Sequence, residues 1–241
     1  MIAIDVKTIV VELLHLLRKE EVGLVAGLSA AERVATGDLQ HMSGKDLIAH
    51  LSAARQREAH RLAIAADGGV PCSDDHDAAR IFKENQHRAW PDVQDEAEHM
   101  FVEFVHQVER FPEADLVALR RYDWLHGRPL CAEILGYGVR HPLGHMTEFY
   151  RRHGETERVR QIYTGLLEGL SRSNLLDVLR EDGLSLYNLA CAYAVTGQPK
   201  KALELLPAAI KLDPELLREL KRDSDLDALR GDPVFQAMEA A

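Results

Sequence analysis

Residues 91–112 read PDVQDEAEHMFVEFVHQVERFP. Val93, Ala97, Met100, Phe101, Phe104, Val105 and Val108 recur at three- and four-residue intervals, which places them on one face of an α-helix. Pro91 suits the first helical turn, where its missing N–H costs nothing, and Phe111-Pro112 stops the helix. The charged residues between the apolar ones fall on the opposite face. This segment is an amphipathic helix, and the rest of the chain follows the same period.

Near the N-terminus, Ile9, Val10, Leu13, Leu14 and Leu17 form an apolar stripe at helix spacing. Ser29-Ala-Ala-Glu32 is a capping-box pattern, expected to open a short second element. Ser43-Gly-Lys-Asp46 is a similar start signal, followed on one face by Leu47, Ile48, Leu51, Ala54 and Leu62. Residues 67–75, DGGVPCSDD, are rich in breakers and read as a loop before a helix from Ala78 to His87. Gly127-Arg-Pro129 opens a long helical stretch through Leu130, Ile134 and Leu135 towards Arg152. Alternating strand patterns are absent. The expected fold class is all-α: four long helices over residues 1–153, with a long crossover between the second and third.

Residues 154–241 differ in kind. In GLSLYNLACAYAVTGQPKKALELLPAAIKLDPE, Leu186, Leu189, Ala190, Tyr193, Ala202, Leu206, Ala209 and Pro214 follow the 34-residue tetratricopeptide (TPR) helix-turn-helix pattern, with Gly197 at the turn. A fainter match around Gly154 suggests that the helix carrying His141 and His145 turns there and packs against the next like a degenerate repeat. Leu216, Leu217, Leu220, Leu226, Leu229 and Phe235 are expected to cover the last helix pair, which favours termination of the repeat.

Composition narrows the function classes. A net charge of −10 without a basic stripe argues against a nucleic-acid partner. No apolar run approaches the roughly 20 residues of a membrane span, and MIAIDVKTIVVELL lacks the basic start and cleavage site of a signal peptide. Cys72, Cys131 and Cys191 show no paired spacing and read as reduced thiols, so the expected compartment is the cytoplasm.

Three histidines stand out: His50 in DLIAHLSAAR, and His141 and His145 in VRHPLGHMTEF. Two histidines four apart on a helix share a face, and a third from another helix completes three ligands for a divalent metal. Three ligands leave positions open for water or substrate. A core histidine bonded to a carbonyl is the alternative for His50. Pro142 and Gly144 weaken the spacing argument, since a proline inside a helix removes a bond and clashes with the preceding turn. That turn is expected to be kinked or wide, with His141 at risk of being re-aimed.

The segment Met42-Ser-Gly-Lys-Asp46-Leu-Ile-Ala-His50-Leu resembles the "W-S-x-K-D-x-x-A-H-L" segment of DinB-like proteins, particularly the branch of colibactin self-resistance proteins. The likeness continues through Asp77–Asn85 and Tyr122–Arg128, and closes at Gly136–His145 against the family's "H-Y-x-E-H". It implies a four-helix bundle over residues 5–150 that holds zinc or nickel through His50, His141 and His145. It also implies, as one activity class, transfer or hydrolysis on a small-molecule electrophile, with or without a thiol. The competing class is a non-enzymatic module with a structural or lost metal, meeting a protein partner through its repeats. A homodimer is open under either.

Other residues have blander readings. Glu58 and His60 are placed on the solvated side of the His50 helix. His76, His99, His106, His126 and His153 are read as surface residues, and Asp74-Asp-His-Asp77 as acids at a helix start. Trp90 and Trp124 are packing anchors, Cys131 has no activating neighbour, and Glu148 is a candidate second-layer group or base.

Overall fold

The computed structural model describes residues 5–72 and 78–240, whose regular elements are all helices, with no strand among the described residues. The acidic run Asp74–Asp77 and His76 lie outside the described residues. Two compact units emerge: Val10–Gly154, and Met1–Ile9 together with Glu155–Ala241.

The first unit contains most of α1 (Val6–Gly27), then α2 (Gly44–Ala66), α3 (Ala78–Asn85), α4 (Trp90–Glu109), α5 (Glu113–Val117), α6 (Leu130–Leu135) and α7 (His141–Arg152). Helix α2 packs against α3, α4 and α7. Leu13, Leu14, Leu51, Leu62, Phe104, Val108 and Ile134 are all excluded from solvent, as their helical spacing requires. Each such side chain contributes roughly 1.5–3 kcal/mol by leaving water.

The start of α2 is fixed by a reciprocal cap. Asp46 N–H donates to Ser43 Oγ at 3.1 Å, and Ser43 N–H donates to Asp46 Oδ2 at 3.2 Å. The Ser29–Glu32 box also forms, with Ser29 N–H donating to Glu32 Oε2 at 2.8 Å, but it closes only a turn and no helix. No apolar stripe follows it to be buried: Val34 is 70% exposed, and a cap without a packed face does not propagate a helix.

Charge is buried in this unit at a place the apolar pattern did not reveal. Arg55, one of the largest fully buried side chains, donates to both carboxylate oxygens of Glu21, 3.1 Å for one of them. Arg18 joins at 2.5 Å from Glu21 and reaches the exposed Glu98 at 2.7 Å. Both guanidiniums lie against the Phe101 ring, at 5.7 and 5.6 Å.

The second unit holds α8 (Thr156–Leu170), α9 (Leu175–Leu179), α10 (Gly183–Val195), α11 (Pro199–Leu212), α12 (Leu216–Leu220) and α13 (Pro233–Glu239). Helices α10 and α11 form a tight antiparallel-type hairpin whose turn depends on Gly197 at φ +76°. Gln198 N–H returns to the Tyr193 carbonyl at 2.8 Å, closing the end of α10. Leu216, Leu220, Leu226, Leu229 and Phe235 pack with Leu186, Ala190, Leu206 and Ala209 in one cluster. Leu217 does not join it and is only half-buried, standing about 100° round the helix from the buried Leu216.

Candidate metal centre

His50 projects from α2, and His141 and His145 from α7. Between α6 and α7 the chain forms a π-turn, Gly136–Arg140, in which His141 N–H donates to the Gly136 carbonyl. This is the widened turn that Pro142 calls for. Proline cannot donate to the preceding turn, and here it sits in the first turn of α7, where no donor is needed. Gly138 lets the π-turn press inward: a Cβ there would stand 2.1 Å from Leu14 Cδ2 and 2.7 Å from Phe104.

The three imidazoles meet. His50 Nε2 lies 3.0 Å from His141 Nε2. Ring centroids are 4.9 Å apart for His50–His141, 4.7 Å for His50–His145 and 4.8 Å for His141–His145. One ligand nitrogen from each falls within 4.8 Å of the others. Pro142 therefore does not carry His141 away from its neighbours. His50 is buried, the other two half-buried. Burial pushes the His145 pKa down, with the Glu148 carboxylate partly opposing it, so the neutral ring able to donate a lone pair is favoured.

The donor set suits a borderline divalent ion. Metal–nitrogen bonds of about 2.0–2.1 Å set ligand nitrogens roughly 3.0–3.4 Å apart around one ion, the range of the His50–His141 separation. The same separation would also fit an N–H···N bond between neutral rings.

Around His50, Met42, Asp46, Ile81, Phe82 and Asn85 line a narrow crevice. Buried Lys45 holds the segment after α3 in place, donating to the carbonyls of Gln86 at 2.8 Å and Arg88 at 3.3 Å. The Tyr137 ring is 6.4 Å from that of His141. Glu148 is exposed and acts on His145 through its charge.

Glu58 corrects the reading that put it in solvent: it is completely buried, whereas His60 is exposed. Glu58 stands seven residues after Leu51 and four before Leu62, so the apolar stripe itself carries it inward. That spacing was the available signal. Arg61 donates to Glu58 and to Glu133 at 2.8 Å each, and Arg128 to Glu133 at 3.1 Å. Burial, with help from the nearby Glu133 charge and against the pull of Arg61, pushes the Glu58 pKa up to about 8. Arg61 stacks on Trp124 at 4.6 Å and Arg57 on Tyr137 at 5.0 Å. Trp90 packs against Ile48 and Val93. His99, His106, His126 and His153 are exposed.

A second group, Cys191 with Asp223 and Asp225, gathers in the other unit. Asp223 Oδ2 accepts from Tyr187 at 3.0 Å and from the Cys191 thiol at 3.5 Å, while Oδ1 caps the next turn at Asp225 N–H, 2.9 Å. Tyr163 donates to Asp225. Burial raises the Cys191 thiol well above its ordinary range. A thiol held protonated is a poor nucleophile, and the hydrogen bonds of this group tie the C-terminal turns to α10.

Comparison with protein-family models, curated proteins and solved structures returns no match. Among the described residues no helix is long and apolar enough to cross a membrane.

Proposed function

We propose that residues 1–153 form a DinB-like four-helix bundle that holds zinc or nickel through His50, His141 and His145. Residues 154–241 would follow it as a TPR-like region closed by its own C-terminal turns. The observation that carries the reading is the convergence of the three imidazoles, with two Nε2 atoms 3.0 Å apart across 91 residues of sequence. Helices α1, α2, α4 and the α6–α7 run supply the four long segments such a bundle needs. A bound ion would supply Lewis acidity, with positions open to water or a thiol for attack on a small electrophile. The chain's own part is to hold the three rings in register. The π-turn and Gly138 set the position of α7, and Lys45 secures the segment that follows α3.

Elemental analysis of protein purified without chelator tests this. Stoichiometric zinc or nickel, lost in His50→Ala and in His145→Ala, is expected. Metal-free protein that takes up neither ion on addition overturns it. Turnover of a chromogenic electrophile, with and without added thiol, then separates transfer from hydrolysis.

A further inference from the structure

Beside the histidines lies a cavity of about 600 Å³ lined by Arg57, Arg61, Trp124, Arg128, Glu133 and Tyr137. Small-molecule sites typically enclose about 300–1,000 Å³. Tyr137 belongs both to this wall and to the surroundings of His141.

The charge in the cavity is unbalanced. Three guanidiniums line it against a single carboxylate, Glu133, which already accepts from Arg61 and Arg128. Glu58, behind Arg61, is a buried acid that favours its protonated form near neutral pH. Arg57 feels the charge of Glu58, but its Nη1 is buried without a hydrogen-bond partner among the described residues. It lies over the Tyr137 ring at 5.0 Å, as Arg61 lies over Trp124 at 4.6 Å. A guanidinium laid on a ring keeps its donors in one plane, ready for the two oxygens of a planar oxyanion. Pro71 and Leu125 add apolar surface.

We propose that this cavity is a carboxylate-binding site, anchored by Arg57 and walled by Arg61 and Trp124, for a small molecule with a compact apolar body. The binding site stands without any metal. Only the further step, that the bound molecule is the electrophile attacked at the histidines, rests on the metal reading above.

The chain has two tryptophans, Trp90 and Trp124, so Trp90→Phe leaves an emitter in the cavity wall. Full-length protein is titrated at constant ionic strength with benzoate, its uncharged analogue benzamide, and inorganic phosphate, followed by Trp124 fluorescence and calorimetry. Saturable binding of benzoate, none of benzamide, and at least tenfold weakening in Arg57→Gln are expected, with partial retention in Arg57→Lys. Circular dichroism of each variant checks that it is folded. Equal binding of benzamide, unchanged affinity in Arg57→Gln, or tighter binding of phosphate overturns the assignment. Benzoate binding that disappears on stripping metal with a chelator would move the site to the histidines and overturn it as well. Persistence of benzoate binding in protein that never takes up metal would sink the metal reading alone.

Discussion

His50 Nε2 and His141 Nε2 stand 3.0 Å apart, one near the start of α2 and the other at the first residue of α7. Two ring nitrogens so close can share a cation or a proton. Two protonated imidazoles could not sit there, since like charges at this distance repel strongly. The pair therefore couples the packing of α2 on α7 to whatever lies between the rings.

A ligand that binds only the folded state stabilises it, by about 2.7 kcal/mol at one hundred times its Kd. Adding zinc or nickel to chelator-stripped protein is expected to raise its melting temperature, and the rise should vanish in His50→Ala. Differential scanning calorimetry reads both. An identical rise in the variant would show that the ion binds elsewhere.

His145 governs the acid side. Its pKa is lowered on folding by burial, so the unfolded chain binds the proton more readily. Its contribution is present above the ordinary histidine value of about 6.5 and is lost as pH falls through the folded one. In metal-free protein, urea unfolding should show stability dropping on acidification below that value, with a shallower drop in His145→Gln. Parallel profiles for the two proteins would refute it.

Glu58 acts on the alkaline side with the opposite sign. Its folded pKa of about 8 lies above the ordinary carboxylate value, so its contribution is full below about 4.5 and is lost as pH rises through about 8. The cost of ionising it in place is on the order of 5 kcal/mol. Glu58→Gln keeps the shape and an acceptor for Arg61 but has no charge to bury. Denaturation at pH 5, 7 and 9 should find the variant gaining on the native protein as pH rises; a constant difference across the series would remove the prediction.

Two glycines near the site should respond in opposite ways to alanine. Gly138→Ala drives a Cβ into Leu14 and Phe104 and is expected to cost about 1–3 kcal/mol. Gly144 lies in α7, exposed, with nothing within 4 Å of an added Cβ. Its replacement by alanine should be neutral or stabilising by up to about 1 kcal/mol. Thermal melts of the two variants compare them directly, and a Gly138→Ala as stable as Gly144→Ala would show that the π-turn can shift outward.

Much of the helical content was legible because it is local. The stripe Val93 to Val108 declares its own period, Ser43 and Asp46 cap each other within four residues, and Gly197 marks a turn any side chain would strain. The Ser29–Glu32 box shows the limit of such signals. Its hydrogen bonds form, yet no helix follows, because elongation needs a face to bury and Val34 has none. Glu58 shows the converse: a charged residue at a core position reads as polar until its i−7 and i+4 neighbours are considered together.

The all-helical class, the identity of the three histidines and the need for an irregular turn ahead of Pro142 are all readable from the chain before it folds. Those follow from periodicity, residue chemistry and the donor that proline lacks, all of which act within a few residues. That His50 meets His141, 91 positions further along the chain, is a product of the packed fold. The fold alone buried Glu58 beside Arg61, and it left Arg57 stacked on Tyr137 at the edge of a cavity. Those outcomes depend on how α2 and the α6–α7 run pack, and packing is set by the summed fit of many apolar contacts rather than by any one stretch of chain.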